Sequence, residues 1–240
     1  MANITIETVV NGDEVIEIDY SQLVTEDDTP LVSLFSEKQQ RMLTEPLYSS
    51  WQPGRPFAVF ANVGLFYALA EPAIVPDAML SLDIALPQKD IWEKPNRSYF
   101  IWKYGKAPEI VVEVVSNLKG MELAEKMDRY AKMGIPYYVV YDPAQHYGSP
   151  SLRFFENYIG EFRPSPNSQF AKVGLGLTIW EGEYEGMVAH WLRWCLPDGQ
   201  LVPSGNEQRQ RAEAERQRAE AEHQRAERLA QRLRELGLDE

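Results

Sequence analysis

"PEIVVEVVSNLKGMELAEKMDRYAKMGIPYYVVYDP", residues 108–143, reads as strand, helix, strand. Ile110-Val111-Val112-Glu113-Val114-Val115 is β-branched on both sides of one carboxylate, the composition of a central strand covered on both faces. The spacing of Leu123, Met127, Tyr130 and Ala131 predicts a helix over about 120–133, with Gly134 in its C-cap position. "YYVVYD" at 137–142 supplies the next strand, and Pro143 stops it. This β–α–β unit sets the core of the fold. Its awkward member is Glu113, because a carboxylate in such a strand is costly unless something pairs with it.

The flanking segments are of mixed order. "ITIETVVNGDEVIEID" holds two alternating runs around Asn11-Gly12, a hairpin pattern with a type I′ turn. A helix is predicted over about 31–50, and strands within 57–70 and 73–86. Residues 94–109 read as a loop or partial strand, 152–164 as a hairpin, and 175–186 as a further strand. Residues 190–205 read as a compact extension ending at a linker. A β–α–β core surrounded by antiparallel pieces predicts a mixed α/β, or α+β, fold with a mixed sheet flanked by helices.

Residues 205–240 have a different character. "QRAEAE" at 210–215 recurs at 217–222 and becomes "QRAERL" at 224–229 and "QRLREL" at 231–236, a period of seven. The repeat aligns Ala212, Ala219, Ala226 and Leu233, with Glu215, Glu222, Leu229 and Leu236 three residues on. Only the last two heptads carry aliphatic residues at both seam positions. Two readings stand: a coiled coil over 206–236 that joins copies of the chain, or a solvated single helix held by Arg–Glu pairs. The chain therefore divides into a body, 1–204 with its core at about 30–190, and a helical tail, 205–240.

Composition narrows the chemistry. Of 240 residues, 44% are hydrophobic and 25% charged, enough for one globular domain of about 200 residues and an appendage. No apolar stretch approaches the roughly 18–20 residues that span a bilayer. The first residues lack the basic and apolar regions of a signal peptide, so a cytoplasmic location is expected. A single cysteine, Cys195, excludes an internal disulfide and a cysteine-based metal cluster. His146, His190 and His223 show no metal-ligand spacing, which disfavours zinc and histidine-dependent triads.

The formal charge of −12 argues against coating nucleic acid by bulk electrostatics. Residues 89–132, however, carry nine Lys or Arg against seven acids, about +2 in a very acidic molecule. Within that region Trp92, Tyr99, Phe100, Trp102 and Tyr104 interleave with Lys94, Arg97, Lys103 and Lys106. Those rings either stack on exposed bases while the cations meet phosphates, or simply pack inward.

A second strand-borne carboxylate, Asp77, stands in similar company, after Ile74-Val75-Pro76 and before Ala78-Met79-Leu80. Two carboxylates at one edge of a core suit a hard divalent cation such as Mg²⁺, which takes one or two carboxylates plus water and substrate phosphate. The cation would also remove the penalty of burying them. Lys126 lies at the margin of the helix's apolar stripe, from where it can snorkel toward the strand end. Taken singly, Pro-Asp is a common pair where strands begin, and Glu122–Lys126 is an ordinary exposed ion pair.

An Asp, a Glu and a Lys converging at a sheet edge resembles the PD-(D/E)XK restriction-endonuclease-like superfamily. Together "VPDAMLSLD", "PEIVVEVVSN" and "ELAEKMDRYAKMGIPYYVVYDP" resemble its Uma-type endonucleases, a resemblance that covers roughly residues 30–200 and extends to "GLGLTIWEGEYEG" and the Arg/Ala/Glu tail. It implies a restriction-endonuclease-like core and a Mg²⁺-dependent endonuclease that hydrolyses DNA phosphodiester bonds, with Mn²⁺ able to substitute. Pro76-Asp77 takes the PD position and Glu113 the (D/E) position. The superfamily's lysine falls two residues later, where this chain has Val115. In the Uma-type pattern an acid and a lysine four residues apart follow on the next helix, here Glu122 and Lys126, with Lys119 close enough to compete.

The resemblance implies that Asp77, Glu113 and the Val114 carbonyl hold the metal. Lys126 then orients water or stabilises developing charge, and Glu122 supports the lysine or a metal water. The alternative is a non-catalytic protein of nuclease fold that binds nucleic acid or a partner and oligomerises through its tail. Val115 and the negative charge favour that alternative; Asp77, Glu113 and Lys126 favour the enzyme.

Overall fold

The structure is a computed structural model that describes residues 6–11, 14–19, 33–68, 71–93, 96–116 and 121–235. It divides into two compact units, Met1–Glu37 and Lys38–Glu240. In the first unit β1 (Ile6–Asn11) and β2 (Glu14–Asp19) form an antiparallel hairpin whose last pair is Asn11↔Glu14. The turn expected around Asn11-Gly12 falls on residues 12 and 13, outside the described residues. The helix expected over 31–50 is α1 (Leu34–Ser50). Ser33 starts it, accepting at Oγ a hydrogen bond from the Ser36 amide at 3.1 Å, which satisfies one of the helix's open N–H groups.

The second unit is built on a six-stranded mixed sheet in the order β10-β9-β8-β7-β5-β3. Its centre consists of β5 (Ala78–Leu82), β7 (Ile110–Val114) and β8 (Tyr137–Tyr141), every residue of which is buried. β7 and β8 are parallel and are joined through α3 (Met121–Lys132), as the opening stretch predicts. Gly134 closes that helix at φ 79°, a backbone conformation that costs any residue with a Cβ. β3 (Phe57–Ala61) pairs with β5, and β9 (Leu152–Tyr158) and β10 (Glu161–Ser165) form the predicted hairpin beside β8, all antiparallel.

Side-chain alternation gives the sheet two faces. Met79 opposes Val111, and Val111 opposes Tyr138, so all three project to one side. There they pack with Tyr130, Ala131 and Ile135 from α3 and its exit. Against the same cluster lies a small parallel pair, β4 (Leu65–Phe66) and β6 (Tyr99–Phe100), followed by the single helical turn α2 (Ile101–Tyr104). The strands expected over 57–70 and 73–86 are shorter than their apolar runs. Asn62 and Asp83 adopt positive φ, 53° and 55°, and stop β3 and β5 just beyond Ala61 and Leu82.

The region beyond residue 165 departs most from expectation. β11 (Gln169–Phe170), β12 (Leu175–Tyr184) and β13 (Met187–Cys195) form a second, three-stranded sheet, so the stretch 190–205, expected as an extension, opens with the last six residues of a strand before irregular residues lead to the tail. Trp191 to Cys195 are all buried, which erases the alternation by which a strand is recognised. α1 covers this edge: Gln39 bonds both the amide and the carbonyl of Leu192, at 2.9 and 2.8 Å, as a neighbouring strand would.

The tail is one helix, α4 (Gly205–Glu235), with no buried residue. Its first turn is clamped to the body. Ser204 and Glu207 form a reciprocal capping box, with the Ser204 amide 2.7 Å from Glu207 Oε2 and the Glu207 amide 3.3 Å from Ser204 Oγ. The buried Arg193 grips both oxygens of Glu207, at 3.0 and 2.6 Å, and lies 4.7 Å from the Trp180 ring centre.

Candidate active site

Glu113 is the fourth residue of β7, on the sheet face that α3 covers, and only 5% of it is exposed. α3 answers it with two residues one turn apart. The Tyr130 hydroxyl donates to Oε1 at 2.6 Å, and Lys126 Nζ donates to Oε2 at 3.2 Å. Burial pushes the Glu113 carboxyl up to about 8; Lys126 opposes this, Asp77 adds to it by like-charge repulsion, and the two hydrogen bonds moderate it. Tyr130 is shifted in the same direction: burial and Glu113 raise its hydroxyl well above 10, which keeps it a donor.

Asp77 stands one residue before β5 and so at its start, where β5 lies beside β7. The Val114 amide donates to its Oδ2 at 2.7 Å and Gln40 Nε2 to its Oδ1 at 2.9 Å. Burial raises its carboxyl too, against the lowering effects of the Val114 amide, Gln40, Lys126 and a hydrogen bond with Glu113. The two carboxylates are therefore neighbours. In an extended strand a residue's N–H and C=O project to the same side, so the Val114 carbonyl also faces the side of Asp77. Lys126 closes the group, its Nζ lying 3.4 Å from the Val75 carbonyl as well as beside Glu113. Asp77, Glu113, Val114 and Lys126 are brought together as the sequence predicts.

Val115 explains why the lysine comes from the helix. Its side chain belongs to the buried cluster with Tyr130 and Val140, and its amide bonds the Tyr141 carbonyl at 2.7 Å. A lysine there would be buried among apolar groups, whereas at 126 the stem runs along α3 and only the ammonium reaches the carboxylate. Lys119 and the side chain of Glu122 lie outside the described residues, as does Lys94. Arg97 and Lys103 are exposed. Lys106 is a clamp, joined to Glu109 and to the Leu82 carbonyl, so its charge is answered within the protein.

Three residues of the site escape sequence reasoning. Tyr130 reads as part of the apolar stripe, yet its hydroxyl holds Glu113. Gln40 fixes Asp77 and is itself fixed by Asn62: Asn62 Nδ2 donates to Gln40 Oε1 at 2.8 Å and Gln40 Nε2 to Asn62 Oδ1 at 3.1 Å. Gln39-Gln40 carried a signal, since these amides fall in register with Met42, Leu43 and Leu47 on the buried side of α1. Asn62 carried none, because its role follows from its left-handed backbone.

The donor set suits a hard cation. Two carboxylates whose charge is disfavoured by burial, Glu113 also by Asp77, with a carbonyl alongside, would leave the remaining positions to water and substrate, the habit of Mg²⁺. Among the described residues no cluster of three or more His, Cys, Asp or Glu is placed to hold a metal. No helix there is long and apolar enough to cross a membrane.

A family model named Uma2, described as "Putative restriction endonuclease", matches residues 28–148, half of the chain and the part that holds Asp77, Glu113, Val114 and Lys126. No curated protein matches. Among solved structures, one described as a putative nuclease belonging to DUF820 from Anabaena variabilis ATCC 29413 aligns at 14% identity with a TM-score of 0.41. That alignment covers 58% of this chain and 71% of that one.

Proposed function

The chain belongs to the Uma2 family of putative restriction endonucleases, and on that footing we propose that it is a Mg²⁺-dependent endonuclease hydrolysing DNA phosphodiester bonds at Asp77, Glu113 and Lys126. The observation that carries this reading is the lysine: Lys126 Nζ lies 3.2 Å from the buried Glu113, which itself neighbours Asp77. An acid pair kept at a burial cost, with a cation aimed into it from another element, is arranged for chemistry on an anion.

Asp77, Glu113 and the Val114 carbonyl are the groups that would hold Mg²⁺, or Mn²⁺ in its place. The bound ion supplies Lewis-acid polarisation of the phosphate and acidifies a water. The protein's own residues do the rest. Gln40 and the Val114 amide hold one oxygen each of Asp77, so that carboxylate is fixed before substrate arrives. Tyr130 holds Glu113 by Oε1 and, with its proton firmly kept, stays a donor at every working pH. Lys126, whose ammonium reaches the carboxylate pair from α3, would stabilise charge developing on the phosphate or orient the attacking water. Glu122 would act behind it, as support for the lysine or for a metal water.

For partners, the reading takes DNA as substrate and a second copy of the chain through 206–236. Leu229 and Leu233 stand exposed on α4, where the two leucine-bearing heptads lie. A plasmid-nicking assay with Mg²⁺ or Mn²⁺ tests the enzyme: wild type should produce relaxed circles and Asp77→Ala none. Binding without cleavage by the wild type would favour the non-catalytic alternative, for which the 3.2 Å contact that already occupies Glu113 with Lys126 is the supporting observation.

A further inference from the structure

Residues of β3, of the loop between β5 and β6, and of α2 enclose a feature that the acid–lysine site does not use, a cavity of about 270 Å³, below the roughly 300–1,000 Å³ of pockets that enclose drug-sized ligands. Its walls include Phe60, Tyr99 and Tyr104, with Leu86 and Ile91 at the mouth and Arg97 beside them. Tyr99 and Tyr104 are stacked, ring centres 4.6 Å apart, and Lys103 lies 5.7 Å from the Tyr104 ring centre. Trp92 stands next to Ile91, tied to the same rim because Arg97 Nε donates to its carbonyl at 2.5 Å.

Ile91, which lines the cavity, is 52% exposed, and Trp92, its neighbour outside the lining, is 77% exposed, both unusual for apolar side chains. The cavity also shares a face with the carboxylates. Phe60 opposes Met79, Met79 opposes Val111, and Glu113 follows two residues later on the same side of β7. Val63, another wall residue, follows Asn62, which is hydrogen-bonded to Gln40 and through it to Asp77.

We infer that this cavity receives an unpaired nucleobase of the substrate strand. An aromatic-walled space suits a base, and Arg97 in its lining, with Lys103 hydrogen-bonded to the lining residue Asn96, suits the flanking phosphates. The charge balance points the same way. A protein of formal charge −12 lacks the many cations that tracking a duplex requires, whereas stacking on aromatic rings needs few. The enzyme therefore acts on single strands or on locally opened sites. This inference rests on the nuclease reading for its placement but not for its test.

The test is fluorescence-anisotropy titration of the full chain with labelled oligothymidylate and with a duplex of equal length, in EDTA so that nothing is cut. Wild type should bind the single strand more tightly than the duplex. Trp92→Ala and Ile91→Glu, both at exposed positions that folding tolerates, should each weaken single-strand binding roughly tenfold. Neither should change duplex binding. Tighter duplex binding by the wild type, or unchanged single-strand binding in both variants, overturns the inference. The outcome is independent of catalysis: a protein that binds as described but never nicks DNA fails the nuclease reading alone, and one that nicks without dependence on Trp92 fails this one alone.

Discussion

Glu113→Gln should make the metal-free protein more stable at pH 8 while leaving it nearly unchanged at pH 4. The sign follows from linkage. Burial raises the Glu113 carboxyl from 4.5 to about 8 in the folded protein, so the folded state binds a proton that the unfolded chain has released. The resulting stability is fully present below 4.5 and is lost as pH rises through about 8. The interval from 4.5 to about 8, at 1.36 kcal/mol per pH unit, is worth on the order of 5 kcal/mol. Gln has the same shape and can still accept from Tyr130, and the attraction of Lys126 for the charged form is already contained in that figure. The net gain near pH 8 is ~4 kcal/mol, or roughly 8–16 °C in a domain of this size. Thermal melts in EDTA from pH 4 to 8.5 measure it. Asp77, also raised by burial, gives both proteins a slope of the same sign, so the difference between them is the readout. Curves that stay parallel, or a variant less stable at pH 8, would mean that Glu113 is ionised and that its bond to Lys126 is a structural ion pair.

Other perturbations probe the supporting residues. Tyr130→Phe removes the hydroxyl donor from a buried carboxylate and should cost about 1–3 kcal/mol by denaturant titration above pH 8, with little effect at pH 4. Arg193→Met should cost about 2–3 kcal/mol and lower the helical circular-dichroism signal, because Glu207 loses its bidentate partner and Trp180 its cation. Deleting 212–240 keeps the Glu207 clamp and should leave a fully stable body, whereas deleting 206–240 strands Arg193 and should lower the melting temperature. Sedimentation of the full chain and the 212–240 deletion across concentrations checks the tail: the truncated protein should stay monomeric where the full chain associates, and equal masses throughout would make α4 a solvated helix.

The core was legible because its chemistry is local. A β-branched run, a helix with a four-residue apolar spacing and a glycine at its end specify β7, α3 and β8 without outside help. Glu113 and Asp77 stood out for the same reason, as charges in apolar company, whereas Lys126 was marked by its place at the margin of the helix stripe and by the family resemblance. What the sequence hid depends on distant partners. β13 does not alternate where it is covered, and the cover is a glutamine 153 positions away. The Gln40 contact to Asp77 spans 37 positions, and nothing local distinguishes Asn62 from any other residue after a strand. The start of α4 was legible: the tail expected from 205 begins at Gly205, behind Ser204-x-x-Glu207, which is a capping box. The buried arginine beneath it was not legible, since a lone Arg193 amid tryptophans gives no sign of which acid it meets.

The central claim is that Asp77 and Glu113 together form one divalent-cation site. Calorimetric titration of Mn²⁺ into the full chain at pH 8 tests it most directly, with Asp77→Ala and Glu113→Gln titrated alongside. The account predicts one ion per chain for the wild type, proton release on binding, and no measurable binding by either variant while both remain folded. Equal binding by the wild type and the two variants, or none by the wild type, would contradict it.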